Sequence, residues 1–295
     1  MRYTGISRIT WPGMRSEYAV LGPHPAVTTT GPHQVGIDFS GHRGLVREVV
    51  GRTERHDAEP GAVYVTGHGP ITWLEVTERT EALEIYPDRA LVDRLAAGTA
   101  EMRPSYAVRD GVVFAVASRL RQAHLSAAPL TDIEASTLAH LLVRHLLRRY
   151  GTDPTGHSGP TGSTGPTGPD GPSGPWSRSA PPGQLRPGAV DTIADYTHAH
   201  LADEITLDAL AGEVNLSPYH FARSFRATTG LTPHAFVTEH RLMVARDRLL
   251  GSKASVPTVA LSVGFSNISH FRRLFRRRYG LTPADLRQID SNQSI

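Results

Sequence analysis

Ser217-Pro-Tyr-His-Phe-Ala-Arg-Ser-Phe-Arg-Ala-Thr-Thr-Gly-Leu-Thr-Pro233 and Asn267-Ile-Ser-His-Phe-Arg-Arg-Leu-Phe-Arg-Arg-Arg-Tyr-Gly-Leu-Thr-Pro283 are one unit written twice, fifty positions apart. His220, Phe221, Arg223, Phe225, Arg226, Gly230, Leu231, Thr232 and Pro233 recur as His270, Phe271, Arg273, Phe275, Arg276, Gly280, Leu281, Thr282 and Pro283. Each copy predicts a short helix. Ser217 and Asn267 are good N-caps, and Pro218 suits the first helical position. Phe221/Phe225 and Phe271/Phe275 stand four apart, so each pair marks a buried side. Gly230 and Gly280 fit the left-handed position that ends a helix. Thr232-Pro233 and Thr282-Pro283 then start another.

A shorter apolar helix precedes each copy, over Thr206 to Val214 and over Val256 to Val263. Helix, tight turn, capped helix is a helix-turn-helix pattern. Leu210-Ala211 and Val259-Ala260 match at an offset of 49 instead of 50, so the second turn is expected to be one residue longer. Between the units, Pro233 to Leu250 has a partly apolar face at helical spacing and predicts a connecting helix. Charge divides within this region. The charged residues from Asp191 to Glu213 are all acidic, whereas arginines dominate from Arg223 to Arg287. Such a field suits a phosphate backbone.

This region resembles the DNA-binding domain of the AraC-type transcriptional regulators. The resemblance rests on Val259-Ala260, Gly264-Phe265, the run Asn267 to Arg276, and Gly280 to Pro283. It implies double-stranded DNA as partner, gripped by two helix-turn-helix units. Base-edge readers belong on the outer N-terminal part of a recognition helix. By position these are Tyr219, Ala222 and Arg223 in the first unit, and Ile268, Ser269 and Arg272 in the second. Arg226, Arg276 and Arg277 suit phosphates. Arg273 stands either on DNA or as a brace to an acidic residue. His220 and His270 adjoin the buried phenylalanines and read as packed or capping residues.

The whole chain has 295 residues, room for two domains, and a net charge of only +3 because acidic and basic segments cancel. It has no cysteine, which excludes disulfides and thiol chemistry. No apolar run is long enough to span a bilayer and the first residues lack a signal-peptide core, so the expectation is a cytoplasmic protein without a membrane partner. Gly156 to Gly174 repeats glycine at every third position with frequent proline, which reads as a flexible spacer that lets the C-terminal region take several placements.

Residues 1–105 read as short strands, with candidates at 35–39, 45–50, 62–66, 72–76 and 82–86. Glu59-Pro-Gly-Ala-Val-Tyr-Val65 resembles the strand entry of small cupin-like barrels. Helices are predicted over 87–97 and over 131–150, the latter opened by the capping box Thr131-x-x-Glu134. The leucines at 138, 141, 142, 146 and 147 suit a core or a dimer interface equally. The expectation is therefore an α+β chain of two domains. A cupin-like barrel with helices occupies 1–150, a Gly/Pro-rich linker 151–187, and an all-α double helix-turn-helix domain 188–290. The resemblance further implies a small-molecule effector in the barrel, a homodimer, and RNA polymerase as partner if the protein activates. Tyr64, His68, Trp73 and Glu75 are the candidate effector contacts. The barrel region has no His-x-His, so no metal and no other cofactor is expected. No paired acid/base groups suggest an enzyme. The alternatives are a constitutive or architectural DNA binder, and a cupin enzyme fused to a DNA-binding module.

Overall fold

The computed structural model describes residues 5–22, 28–49, 52–67, 72–75, 80–96, 101–125, 129–152, 183–186 and 188–291. The N-terminal half holds strands β1 (Gly5–Trp11), β2 (Met14–Leu21), β3 (Thr28–Thr29), β4 (Val35–Asp38), β5 (His42–Val49), β6 (Arg52–Ala58), β7 (Ala62–Val65), β8 (Thr72–Glu75) and β9 (Thr80–Pro87). Helix α1 (Arg89–Ala96), strands β10 (Glu101–Met102) and β11 (Ser105–Val108), helices α2 (Gly111–Leu125) and α3 (Asp132–Tyr150), and strand β12 (Gly151–Thr152) come next. The C-terminal half is helical: α4 (Ala189–Ala199), α5 (Leu207–Glu213), α6 (Pro218–Thr229), α7 (Pro233–Gly251), α8 (Val256–Ser262), α9 (Ile268–Tyr279) and α10 (Pro283–Ser291). Among the described residues no helix is long and apolar enough to cross a membrane.

Two antiparallel sheets build the first half. One runs β1-β2-β9-β4-β7-β11 and the other β3-β8-β5-β6, with a short β10-β12 pair apart. Strand alternation assigns the two faces of the larger sheet. Val35, Ile37, Val63, Leu83 and Ile85 are fully buried in the core that includes α2 and α3. Glu17, Glu84, Gly36 and Tyr64 form one row across the opposite face, because Glu17 pairs Glu84, Glu84 pairs Gly36, and Gly36 pairs Tyr64. Gly36 makes room for its neighbour: a Cβ there would lie 1.9 Å from the Tyr64 ring.

The five strands and both helices expected in this half are present. Strands β1, β2 and β6 and helix α2 were not foreseen. The first three are rich in charged and polar residues, which dilutes the strand signal. Helix α2 opens Val112-Val113-Phe114, a run that favours strands locally. It is buried on nearly all sides, so no polar stripe marks its period. Its first turn is capped by Asp110, whose Oδ1 accepts from the Val112 and Val113 N–H groups at 3.1 and 2.9 Å. Asp110 Oδ2 accepts from Tyr150 at 2.8 Å and lies 2.7 Å from His145 Nε2. Burial alone would raise this carboxyl; His145, the Val113 N–H and Arg149 outweigh it and hold it at about 2.

The leucines of α3 are core residues. Leu138, Leu142 and Leu146 are buried within the chain and Leu141 and Leu147 pack against the same core, while the outer face carries Thr137, His140, Arg144 and Arg148. That core crosses into the C-terminal half. Leu210, Phe221, Phe225 and Phe236 share it with Phe39, Phe114 and Leu142. Phe114 meets Phe236 at 5.5 Å between ring centroids, and Gly111 lies so close to α4 that a Cβ would come within 2.7 Å of the Val190 carbonyl. The second helix-turn-helix unit has its own core around Phe265, Phe271 and Phe275. The expected spacer lies mostly outside the described residues. Its last part is ordered: Leu185 is buried and its N–H donates to Thr228 on α6 at 2.9 Å. The two halves are thus held in one arrangement.

Candidate nucleic-acid interface

The sequence repeat is a structural repeat. The Ser217 hydroxyl accepts from the His220 N–H, and Asn267 Oδ1 from the His270 N–H at 2.9 Å. Gly230 and Gly280 end α6 and α9 with φ of 74° and 73°. The Phe221/Phe225 and Phe271/Phe275 ring pairs stand at 5.4 and 5.5 Å, all four fully buried. The turns before the two helices also match. Asn215 and Gly264 both take positive φ, and the Leu216 and Phe265 N–H groups donate to the Ala211 and Ala260 carbonyls at 3.0 and 2.9 Å. These pairs keep the offset of 49, whereas the N-caps are 50 apart. The extra residue of the second turn is therefore Ser266.

The interior phenylalanines fix what faces out. Tyr219 is 71% exposed, Arg223, Arg226, Ser269, Arg272, Arg273, Arg276 and Arg277 are exposed, and Ala222 and Ile268 are half-buried. Ile268 packs against the second core. None of these six arginines forms a salt bridge among the described residues, Arg273 included. The His220 side chain is exposed, not packed as expected, while His270 sits against Phe265 at 6.3 Å.

Other bases of this half serve the fold. Arg241 donates to the Gly264 and Asp203 carbonyls, Arg248 to Ser262, and Arg287 to the Leu249 and Ala254 carbonyls. Arg246 and Arg278 are buried. The run Arg276-Arg277-Arg278 is therefore two outward charges and one inward. Composition could not separate them; a spacing of three from the buried Phe275 and seven from Phe271 places 278 on the inner face. What remains on the surface is a set of guanidiniums without a salt bridge among the described residues, on two helices that α7, at 19 residues about 28 Å long, holds apart.

Of the candidate effector contacts, Tyr64 donates to Glu84, which Gln34 also approaches with its amide. Burial pushes the Glu84 carboxyl up to about 7 despite these donors. Glu84 and Gln34 were not foreseen; their distance from Tyr64 in sequence hides the grouping, which only the strand register reveals. His68 and the side chains of Trp73 and Glu75 lie outside the described residues. Among the described residues no three His, Asp or Glu side chains are grouped to hold a metal ion.

A helix-turn-helix domain model matches residues 210–289. Over 89 residues, 30% of this chain and 32% of the relative, the sequence is 44% identical to the HTH-type transcriptional activator RhaS of Escherichia coli strain K12 / DH10B. The same figures hold for RhaS of Escherichia coli O157:H7. The chain thus matches about a third of the length of these curated relatives. Among solved structures, a probable AraC family transcriptional regulator from Rhodopseudomonas palustris CGA009 is 30% identical, with 35% of this chain and 97% of that one covered at a TM-score of 0.33. The DNA-binding domain of AdpA, solved with a target DNA, is 30% identical over 36% of this chain and 94% of that one, with a TM-score of 0.34. Residues 210–289 thus form a helix-turn-helix domain whose capped, duplicated units are similar in sequence to those of the transcriptional activator RhaS.

Proposed function

We propose that this chain is a cytoplasmic, sequence-specific DNA-binding regulator of transcription. Its helices α6 and α9 enter successive major grooves on one face of a duplex. The observation that carries this reading is the pair of outward helices whose inner faces are locked by phenylalanines and whose outer arginines form no salt bridge among the described residues. Tyr219, Ala222 and Arg223 read one half-site; Ile268, Ser269 and Arg272 read the other. Arg226, Arg273, Arg276 and Arg277 hold phosphates. Arginine can pair bidentately with guanine O6 and N7, which is the commonest specific contact. The domain division that goes with this reading is 1–150, 151–187 and 188–290. The cupin-like half takes a small-molecule effector near Tyr64 and Glu84, and the protein acts as a homodimer that engages RNA polymerase when it activates.

The test is selection of binding sites from random duplex DNA by the full chain and by its Arg223→Ala and Arg272→Ala variants. Two short motifs about one helical turn apart should emerge, and each substitution should relax one of them. Binding without an enriched motif, but steeply weakened by salt, would mean that the arginines only hold phosphates. The architectural reading would then replace this one.

A further inference from the structure

The last turn of α9 is gripped by the N-terminal half. Arg278 is only 6% exposed, and its Nε donates to Glu239 on α7. Its Nη1 lies 3.6 Å from Glu81 of β9. Arg121 of α2 donates to the same Glu81 carboxylate and turns both Nη groups to the Arg278 carbonyl, at 3.3 Å each. The last carbonyls of a helix have no partner within it, so a side chain of the N-terminal half caps this recognition helix. Glu81 is itself fixed. Tyr18 donates to it at 2.9 Å, and its own N–H donates to Ser40 at 2.5 Å. The neighbouring Tyr279 ring lies within 5.0 Å of the Arg278 guanidinium, with its hydroxyl on the Leu242 carbonyl.

Among the described residues the first unit shows no such joint. Where the second copy reads Arg277-Arg278-Tyr279, the first reads Ala227-Thr228-Thr229. The joint thus occupies positions at which the two copies diverge, and it acts on one recognition helix only. We propose that Glu81, a residue of the N-terminal sheet, is a positioning residue for DNA reading by the second helix-turn-helix unit, acting through Arg278. This rests on the reading of α9 as a recognition helix.

Leverage makes the joint matter. Ser269 stands about 14 Å along the helix from Arg278. A tilt of about 10° at the anchored end moves the reading end by about 2 Å, more than a base-edge hydrogen bond tolerates. The first unit is instead seated by the shared apolar core, so loss of Glu81 leaves α6 in place.

The chain has no cysteine, which allows clean labelling. Nitroxides on Ala227→Cys and Ser266→Cys, in the full chain, report the distance between the two units without DNA. The unaltered joint should give one narrow distance distribution. Glu81→Gln should broaden or shift it, and so should Glu81→Gln combined with Arg278→Met, which removes a charge from each side of the joint and guards against misfolding from an unpaired guanidinium. On DNA, both variants should lose about tenfold to a hundredfold in affinity for the selected two-motif duplex. On a duplex whose α9 motif is scrambled they should change less than about twofold. A broad distribution already in the unaltered protein, or an unaltered distribution in both variants, overturns the proposal whatever the DNA shows. Equal losses on both duplexes overturn it too, as the mark of a merely structural role. If the unaltered chain prefers no sequence, the DNA reading itself fails and the distance measurement alone decides the joint.

Discussion

Arg223→Ala and Arg272→Ala each remove one outward guanidinium that forms no salt bridge among the described residues. Folding stability should therefore stay within about 0.5 kcal/mol. Binding to the cognate half-site should weaken by about 1–3 kcal/mol per lost base contact. Thermal melting and titration against half-site duplexes check both; a loss spread evenly over all sequences would reassign the residue to phosphate. Glu84 makes a different prediction. Its carboxyl, pushed by burial from an ordinary 4.5 to about 7, keeps its proton in the fold while the unfolded chain has released it. Stability should then fall as pH rises from about 4.5 to 7 and level off above. The side chain is only half-buried, so the loss is about 1–2 kcal/mol. Melting followed across that range should show the slope, and Glu84→Gln should flatten it. An unchanged slope in the variant would assign the pH dependence to another group.

At the scale of elements, Gly280 tests the repeat. A Cβ added there meets nothing within 4 Å, so Gly280→Ala isolates the strain of φ +73°. It should cost about 1 kcal/mol of stability, read as a shift of the denaturation midpoint; no shift would mean that the cap is dispensable. Elements were legible where local chemistry and tertiary context agree. Ser217, Asn267, Thr131 and the two helix-ending glycines sit in the caps their types favour. Legibility failed where context overrides. The β-branched start of α2 folds as a helix because Asp110 caps it and apolar neighbours enclose it. Strands β1 and β2 bury Ser16 and turn Ile6 outward, which blurs their alternation. The outward positions of α6 and α9 were legible from one fact, the buried phenylalanine pair, which orients everything else on its helix. Arg278 shows the limit: its partner Glu81 lies far away in sequence, and no local pattern ties the two together.

For the whole molecule, the shared core has a consequence. The first helix-turn-helix unit buries Phe221, Phe225 and Phe236 together with Phe114 and Leu142, whereas the second keeps its own cluster. Residues 183–295 produced alone should therefore lose amide protection in α5 and α6 and retain it in α8 and α9. Equal protection in both units would show that the N-terminal half adds nothing to the first. In the proposed complex two rigidly spaced helices read two motifs on one face of DNA. This arrangement is tested most directly by the affinity of the full chain for the selected two-motif duplex before and after five base pairs are inserted between the motifs. Half a helical turn moves one motif to the opposite face. The affinity should drop by about tenfold or more, to that of a duplex with a single motif. An affinity unchanged by the insertion would contradict a two-headed reader.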